Sequence, residues 1–466
     1  MAIYPAAAIF LLIWLLLTLR NADNGLLMAI AVIPFGMFAA IVAGGLSMIL
    51  AHFLVVLTIG ALLIRALSTR HAHVSTRLPP SAIYLSIFAI YSLFSGLILV
   101  RLFQGQFLVF PLSVTFHGTL VSTFYPSTMI PLAPNSSNIS QTFFIVLSTM
   151  FFIALVLVIR RRGLEFVTKG LAWAAGLNAL LGLMDLLQLD PILSFVRTAD
   201  YALNNEHMLG GLSRVIGGYS EAAAFGSVSA ALFAYFAMTY LITNKSREGL
   251  LALANLCCAL LAVSSTAILA IAFAFMLILM HAHIYLRPGI SRRFAHHVVI
   301  ALSGLIIVIC LVLMLTPAET FIARMLDSLL FSKGNSMSGL ERSAWAKSGL
   351  DAFIQTYGLG AGAGSLRSNG FAMVLLGNVG LPGTIAFVMY LWHGIGKPIS
   401  ACTPTQASSF YAGRVSALTL LGSMMVSATG PDPTLLLMAT VCVSVIAREQ
   451  AKTGPYVSPA ISMRAA

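Results

Sequence analysis

The stretch QTFFIVLSTMFFIALVLVIRRR, Gln141 to Arg162, decides the fold. From Gln141 to Ile159 it carries no charge, and Arg160, Arg161 and Arg162 then end it abruptly. As a helix, the uncharged part would rise roughly 28 Å, close to the roughly 30 Å of a bilayer's hydrocarbon core. The arginines fall where water and headgroups begin. Working outward, the rest of the chain repeats the pattern. Hydrophobic residues make up 59% of the 466 and charged residues 9%, against roughly 25% charged in an average soluble domain. A water-facing exterior cannot be built from so few charges. Lipid needs none.

Apolar segments fall near 3–19, 25–43, 46–66, 82–103, 141–160, 166–188, 220–243, 249–264, 266–286, 297–316, 371–394, 409–428 and 433–447. The expected fold is an all-α, polytopic transmembrane bundle of about 12 to 14 spans, forming one integral domain over residues 1–466 without a soluble catalytic module. The run from Leu26 to Ile64 is too long for one span and should break at Gly44 and Gly45; that from Leu250 to Leu286 should break at Ser264, Ser265 and Thr266. Ile9 to Leu19 lacks a preceding basic region and a small-residue cleavage site, so it reads as a retained first span and not a signal peptide.

The net charge of +12 does not point to nucleic acid, because the basic residues are scattered through short loops. Their alternation instead sets orientation. Arg65, Arg70 and Arg77, then Arg160 to Arg162, Lys245 with Arg247, Arg287 with Arg292 and Arg293, Lys397, and Arg448 with Lys452 mark successive cytoplasmic loops. The segments between them face outward, and Gln104 to Gln141 contains no Lys, Arg, Asp or Glu. The scheme places the N-terminus outside. The five cysteines show neither a disulfide framework nor metal-ligand spacing.

Three outward segments are long: 104–140, 189–219 and 317–370. Loops of this length usually carry function. In the last, Phe321, Ile322, Met325, Leu326, Leu329 and Leu330 recur at helical spacing, predicting an amphipathic surface helix. A second helix is expected from the Ser338–Glu341 capping box to about Gln355.

Charges beside spans need a reason, and two outward groups stand out. In the first, Arg214 and Glu221 lie seven residues apart, on one face if the helix starts early. They suit either a structural ion pair or a site. In the second, glycines alternate at 358, 360, 362 and 364 ahead of Ser365 and Arg367. Such a turn feeding a helix is either a hinge or an anion nest built from bare backbone N–H groups. It matches no dinucleotide or Walker motif. Arg214, Arg342 and Arg367 all lie outside, against the positive-inside bias, so they ask for a ligand. Arginine's fixed charge and forked donors fit phosphate oxygens, and in a chain this hydrophobic a lipid diphosphate is the natural one. Asp185 and Asn178 lie within a span and receive no role.

The pieces Ser338-Gly-Leu-Glu-Arg342-x-x-Trp345, Gly358-Leu-Gly-Ala-Gly-Ala-Gly-Ser365-x-Arg367-Ser368 and Leu376-Gly-Asn-Val-Gly380-Leu-Pro-Gly383 resemble the O-antigen polymerase and ligase family. Pro131-Leu-x-Pro134 with Asn138-Ile-Ser-Gln141, Arg214-x-x-Gly217 with Glu221, and Ser264-Ser-Thr266 fit the same pattern, in family order, across roughly residues 100–390. The resemblance implies a glycosyltransferase-C-like enzyme of the bacterial inner membrane, needing no metal and no cofactor. Its substrate would be an undecaprenyl-diphosphate-linked saccharide, and a chain-length regulator is the protein partner such a reaction admits. Carried over, Arg214, Arg342 and Arg367 bind the diphosphate with Gly362, Gly364 and Ser365. Glu221 is the candidate base and His207 the second candidate. Ligases of the family usually carry a histidine where this chain has Asn369. That departure favours polymerisation over ligation, with transport of an anionic solute or lipid as the rival outside catalysis.

Overall fold

The computed structural model describes residues 2–43, 46–68, 77–112, 114–116, 119–121, 128–199, 214–281, 337–400 and 402–453. Helices dominate them. In chain order they are α1 (Pro5–Arg20), α2 (Asn24–Ala31), α3 (Leu50–Ser68), α4 (Pro80–Phe94), α5 (Ser136–Arg162), α6 (Glu165–Leu186), α7 (Ala222–Thr243), α8 (Ser246–Leu261), α9 (Ser265–Met280), α10 (Met337–Gln355), α11 (Phe371–Leu391), α12 (Pro404–Ser427) and α13 (Leu435–Thr453). Among the described residues six are long and apolar enough to cross a bilayer: α3, α4 extended to Leu102, α5, α6, α7, and α11 extended to Gly396. The chain is a multi-pass membrane protein by these helices.

One expected span is absent as such. Residues 25–43 do not form a spanning helix: α2 ends at Ala31, shortly before Pro34, whose ring disfavours helical geometry in the residue preceding it. The chain then forms an antiparallel hairpin of Ala39–Ala43 with Leu46–Ile49 around the expected break at 44–45. The break at 264–266 is present, with Val263 in the left-handed region at φ +42° between α8 and α9. The expected span at 297–316, the amphipathic helix at 321–330 and His207 lie outside the described residues.

Lipid attracts no helix more than its neighbour does, so packing and hydrogen bonds must hold the bundle. Small residues permit that. Gly226 on α7 faces Ala267 on α9 so closely that an added Cβ would sit 2.4 Å from the Ala267 Cβ. Gly413 on α12 lies against the Thr440 carbonyl of α13 in the same way. Ser416 Oγ donates to Ala231 O across α12 and α7 at 2.7 Å, and Asn178 Nδ2 bridges Ser229 Oγ and Asn255 Oδ1 at 2.8 and 3.0 Å. α7 packs against α8, α9 and α12, and most of it is buried. Outward-facing Ile9, Leu16, Leu63 and Ile90 are exposed, as a lipid-facing surface requires.

The two ends of the bundle differ in charge. At one end Asp23 takes Arg161 at 2.9 Å and Arg65 at 3.5 Å, and Arg160 grips Glu449 and donates to Arg77 O. The opposite end holds the start of α5, the end of α6, the start of α7 and the glycine-rich segment. That separation follows the loop alternation read from the sequence.

Candidate functional site

The glycine-rich segment leaves α10 at Gln355 and enters α11 at Phe371. Gly358, Gly360, Gly362 and Gly364 have φ of +81°, +88°, +110° and +78°, a region costly to residues bearing a Cβ. The loop is also pressed against its surroundings. A Cβ on Gly364 would lie 2.3 Å from Ser137 O, and one on Gly360 2.5 Å from the backbone nitrogen of Gly380. Gly380 itself breaks α11 at φ +61°, and Leu381 N donates to Gly358 O at 2.8 Å. The two glycine motifs of the sequence are thus one unit in space.

Hydrogen bonding overturns the anion-nest reading. Gly362 N donates to Asn378 O at 2.9 Å, Gly364 N to Asn378 Oδ1 at 2.9 Å, and Ser365 N to Gly362 O at 3.0 Å. Ala363 N donates to Ser95 Oγ at 3.2 Å, and Ser365 Oγ to Ala361 O at 3.0 Å while accepting from Asn138 Nδ2 at 2.8 Å. Gly362, Gly364 and Ser365 are buried with these donors committed, so they shape the loop and present no N–H array to an anion. Ser95 begins a π-helical turn over Ser95–Leu99, a local irregularity that often marks functional regions.

The loop instead positions Arg367. Its backbone N–H donates to Phe110 O at 2.7 Å and its Nη2 to Leu112 O at 3.3 Å, and the guanidinium lies over the Trp345 ring at 4.9 Å. Such stacking suits arginine's planar cation. Ser368 Oγ ties the loop to Trp345 O at 3.2 Å. Among the described residues Arg367 Nε and Trp345 Nε1 are buried donors without a partner. Asn369 Oδ1 is a buried acceptor in the same condition.

Arg214 arrives from the other side of the chain. Its Nε donates to Val263 O at 3.2 Å, which brings it to the break before α9 and to the Ser264-Ser-Thr266 motif. The expectation that Arg214 and Glu221 share a helix face is corrected: α7 starts at Ala222, Glu221 is its extended N-cap, and Arg214 lies in the irregular segment before it. The two remain within electrostatic reach. Burial pulls the Arg214 guanidinium below its ordinary value, Glu221 pushes it back up and Arg342 pushes it down. Arg367 is likewise lowered by burial and raised by Glu341 and Glu221. Arg214, Glu221, Glu341, Arg342 and Arg367 therefore form one electrostatic cluster, with one guanidinium in excess of the carboxylates. The Ser338–Glu341 capping box is not the start of α10, because Met337 and Ser338 are already helical.

Asp185, which receives no role from the sequence, and Arg197 brace the Arg214 segment. Asp185 Oδ2 accepts from Ile216 N and Gly217 N at 2.6 and 3.0 Å, and its Oδ1 pairs with Arg197 Nη2 at 2.5 Å. Arg197 in turn donates to Gly217 O through Nε at 3.0 Å and Nη2 at 2.6 Å. The signal available in the sequence was a lone carboxylate within a span, which the cost of burial says must have a partner. Among the described residues no group of His, Cys, Asp or Glu is arranged to hold a metal ion.

The fold and this cluster define a multi-pass helical membrane protein with Arg214, Arg342 and Arg367 gathered at the end opposite its arginine-rich loops. No protein-family model, curated protein or solved structure matches the chain.

Proposed function

We propose that the chain polymerises undecaprenyl-diphosphate-linked oligosaccharide repeats into exopolysaccharide or O-antigen at the periplasmic face of a bacterial inner membrane. The observation that carries this reading is the convergence of Arg214, Arg342 and Arg367 with Glu221 at the end of the bundle opposite its arginine-rich loops. Three always-charged groups near a membrane surface suit a diphosphate, and a glycosyl diphosphate is already an activated donor.

In the proposed step the acceptor hydroxyl attacks the donor's anomeric carbon and gives its proton to Glu221. The anomeric carbon–oxygen bond breaks, and its electron pair leaves with the diphosphate. As the leaving group gains negative charge, protonation of Glu221 removes a negative charge from the cluster beside it. The arginines then hold the leaving group more tightly at the transition state than before it, which is the condition for rate enhancement. Arg367 is held from one side by Leu112 O and Trp345, while its Nε has no partner among the described residues. Asp185 and Arg197 act as positioning residues for Arg214.

Ligation to a lipid A core and transport of an anion use the same clamp. Asn369 in place of histidine supports polymerisation over ligation, since a neutral amide cannot accept a proton as imidazole does. The glycan left on the carrier lipid of a deletion strain separates the three. Accumulated single repeats are expected. Long carrier-linked chains would mean ligase, and an unchanged glycan profile would favour transport.

A further inference from the structure

A second basic site lies at the opposite end of the bundle. A cleft of about 110 Å³ is lined there by Pro80, His393, Lys397, Arg448, Glu449 and Lys452, from the start of α4, the turn following α11 and the end of α13. Arg448 is buried and donates to the carbonyls of His393, Gly394 and Lys397, so it satisfies acceptors left at the end of the π-helical turn Trp392–Gly396. Its charge remains in the cleft wall. Lys397 Nζ stands 3.2 Å from His393 Nδ1, whose ring stacks on Tyr84 with centroids 5.1 Å apart. Lys452, one turn beyond Arg448, is exposed at the rim. The carboxylate in the lining, Glu449, is gripped by Arg160 through Nε and Nη2 at 2.9 to 3.2 Å. Glu449 also lies within electrostatic reach of Arg448, so Lys397 and Lys452 supply the remaining positive charge of this small concavity.

Anchoring charges alone do not require this arrangement. Positive-inside residues need only reach headgroups singly, whereas here a buried arginine, a lysine oriented by histidine and a rim lysine converge. We propose that this cleft binds the phosphate of an anionic phospholipid headgroup in the leaflet at the arginine-rich end. The recognised chemistry is a phosphate oxyanion, for which convergent basic groups between helix ends are suited. The membrane is the favoured source because Trp392, 56% exposed, sits a turn from Lys397 where aromatic rings favour the interface. The site is independent of the glycan chemistry proposed for the other end.

The full-length protein, reconstituted in phosphatidylcholine nanodiscs doped with phosphatidylglycerol, provides the test through native mass spectrometry of retained lipid. The wild type is expected to retain phosphatidylglycerol over phosphatidylcholine by roughly tenfold. Lys397→Gln with Lys452→Gln should remove the preference, while Lys245→Gln with Arg247→Gln, outside the cleft, should leave it. Monodisperse elution of each variant establishes that it is folded. Equal retention by the wild type and the Lys397/Lys452 variant would overturn the site. So would equal losses from both pairs of substitutions, which would mean general surface charge. Occupancy by inorganic phosphate without any lipid preference would overturn the membrane source.

Discussion

Arg367→Ala is expected to abolish polymer while the protein stays in the membrane at wild-type abundance. The backbone bond from Arg367 N to Phe110 O survives the substitution, and the loop's glycine contacts do not involve the side chain. What disappears is a guanidinium aimed, in the proposed site, at the leaving diphosphate. Loss of one preorganised donor of this kind lowers turnover by about 10²–10³-fold. Arg367→Lys should recover little, because an ammonium keeps the charge but loses the forked donors and the planar stack on Trp345. The measurement is polymer per membrane-inserted protein, by glycan gel and quantitative immunoblot. Full activity in the alanine variant would remove Arg367 from the site.

Arg197→Ala should fail in a different way. The Arg197 side chain is 4% exposed and Asp185 10% exposed, and together they hold four contacts around Ile216 and Gly217. Removing the arginine strands a buried carboxylate, a loss of about 3–5 kcal/mol when a buried pair is broken. Abundance in the membrane and thermal stability should both fall, with the polymer lost as a consequence. Wild-type abundance with normal thermal stability would show that the clamp does not support the Arg214 segment. The contrast with Arg367 separates a ligand-binding arginine from a supporting one.

The sequence made the bundle legible where a single rule applied. The span ending in Arg160–Arg162 corresponds to α5, and the break predicted at Ser264–Thr266 separates α8 from α9. It misled at residues 25–43, where hydrophobicity reads as a span although Pro34 stops the helix and the chain turns into a hairpin. Hydrophobicity reports a preference for the interior; it does not say in which conformation.

At the candidate site the outward arginines and Glu221 were legible as exceptions to the charge bias, and the structure brings them into one cluster. The glycines were legible as special but not in purpose. Alternating glycine offers bare N–H groups, and only the fold reveals that Phe353, Thr356 and Asn378 accept from them. Asn378 sits within the hydrophobic α11, and Asn138 looks like a glycosylation sequon. Their structural roles depend on partners more than 200 residues away for Asn138 and 14 residues away, across the loop, for Asn378, pairings that no local pattern encodes.

Reconstitution tests the central claim most directly. Purified protein in liposomes, supplied with undecaprenyl-diphosphate-linked single repeats and no nucleotide, should convert them into a ladder of longer carrier-linked glycans. Each addition should release one undecaprenyl diphosphate. Arg367→Ala protein in the same liposomes should leave single repeats unchanged. Single repeats left intact by folded wild-type protein, on both faces of the liposome, would contradict the assignment of polymerase activity to this chain.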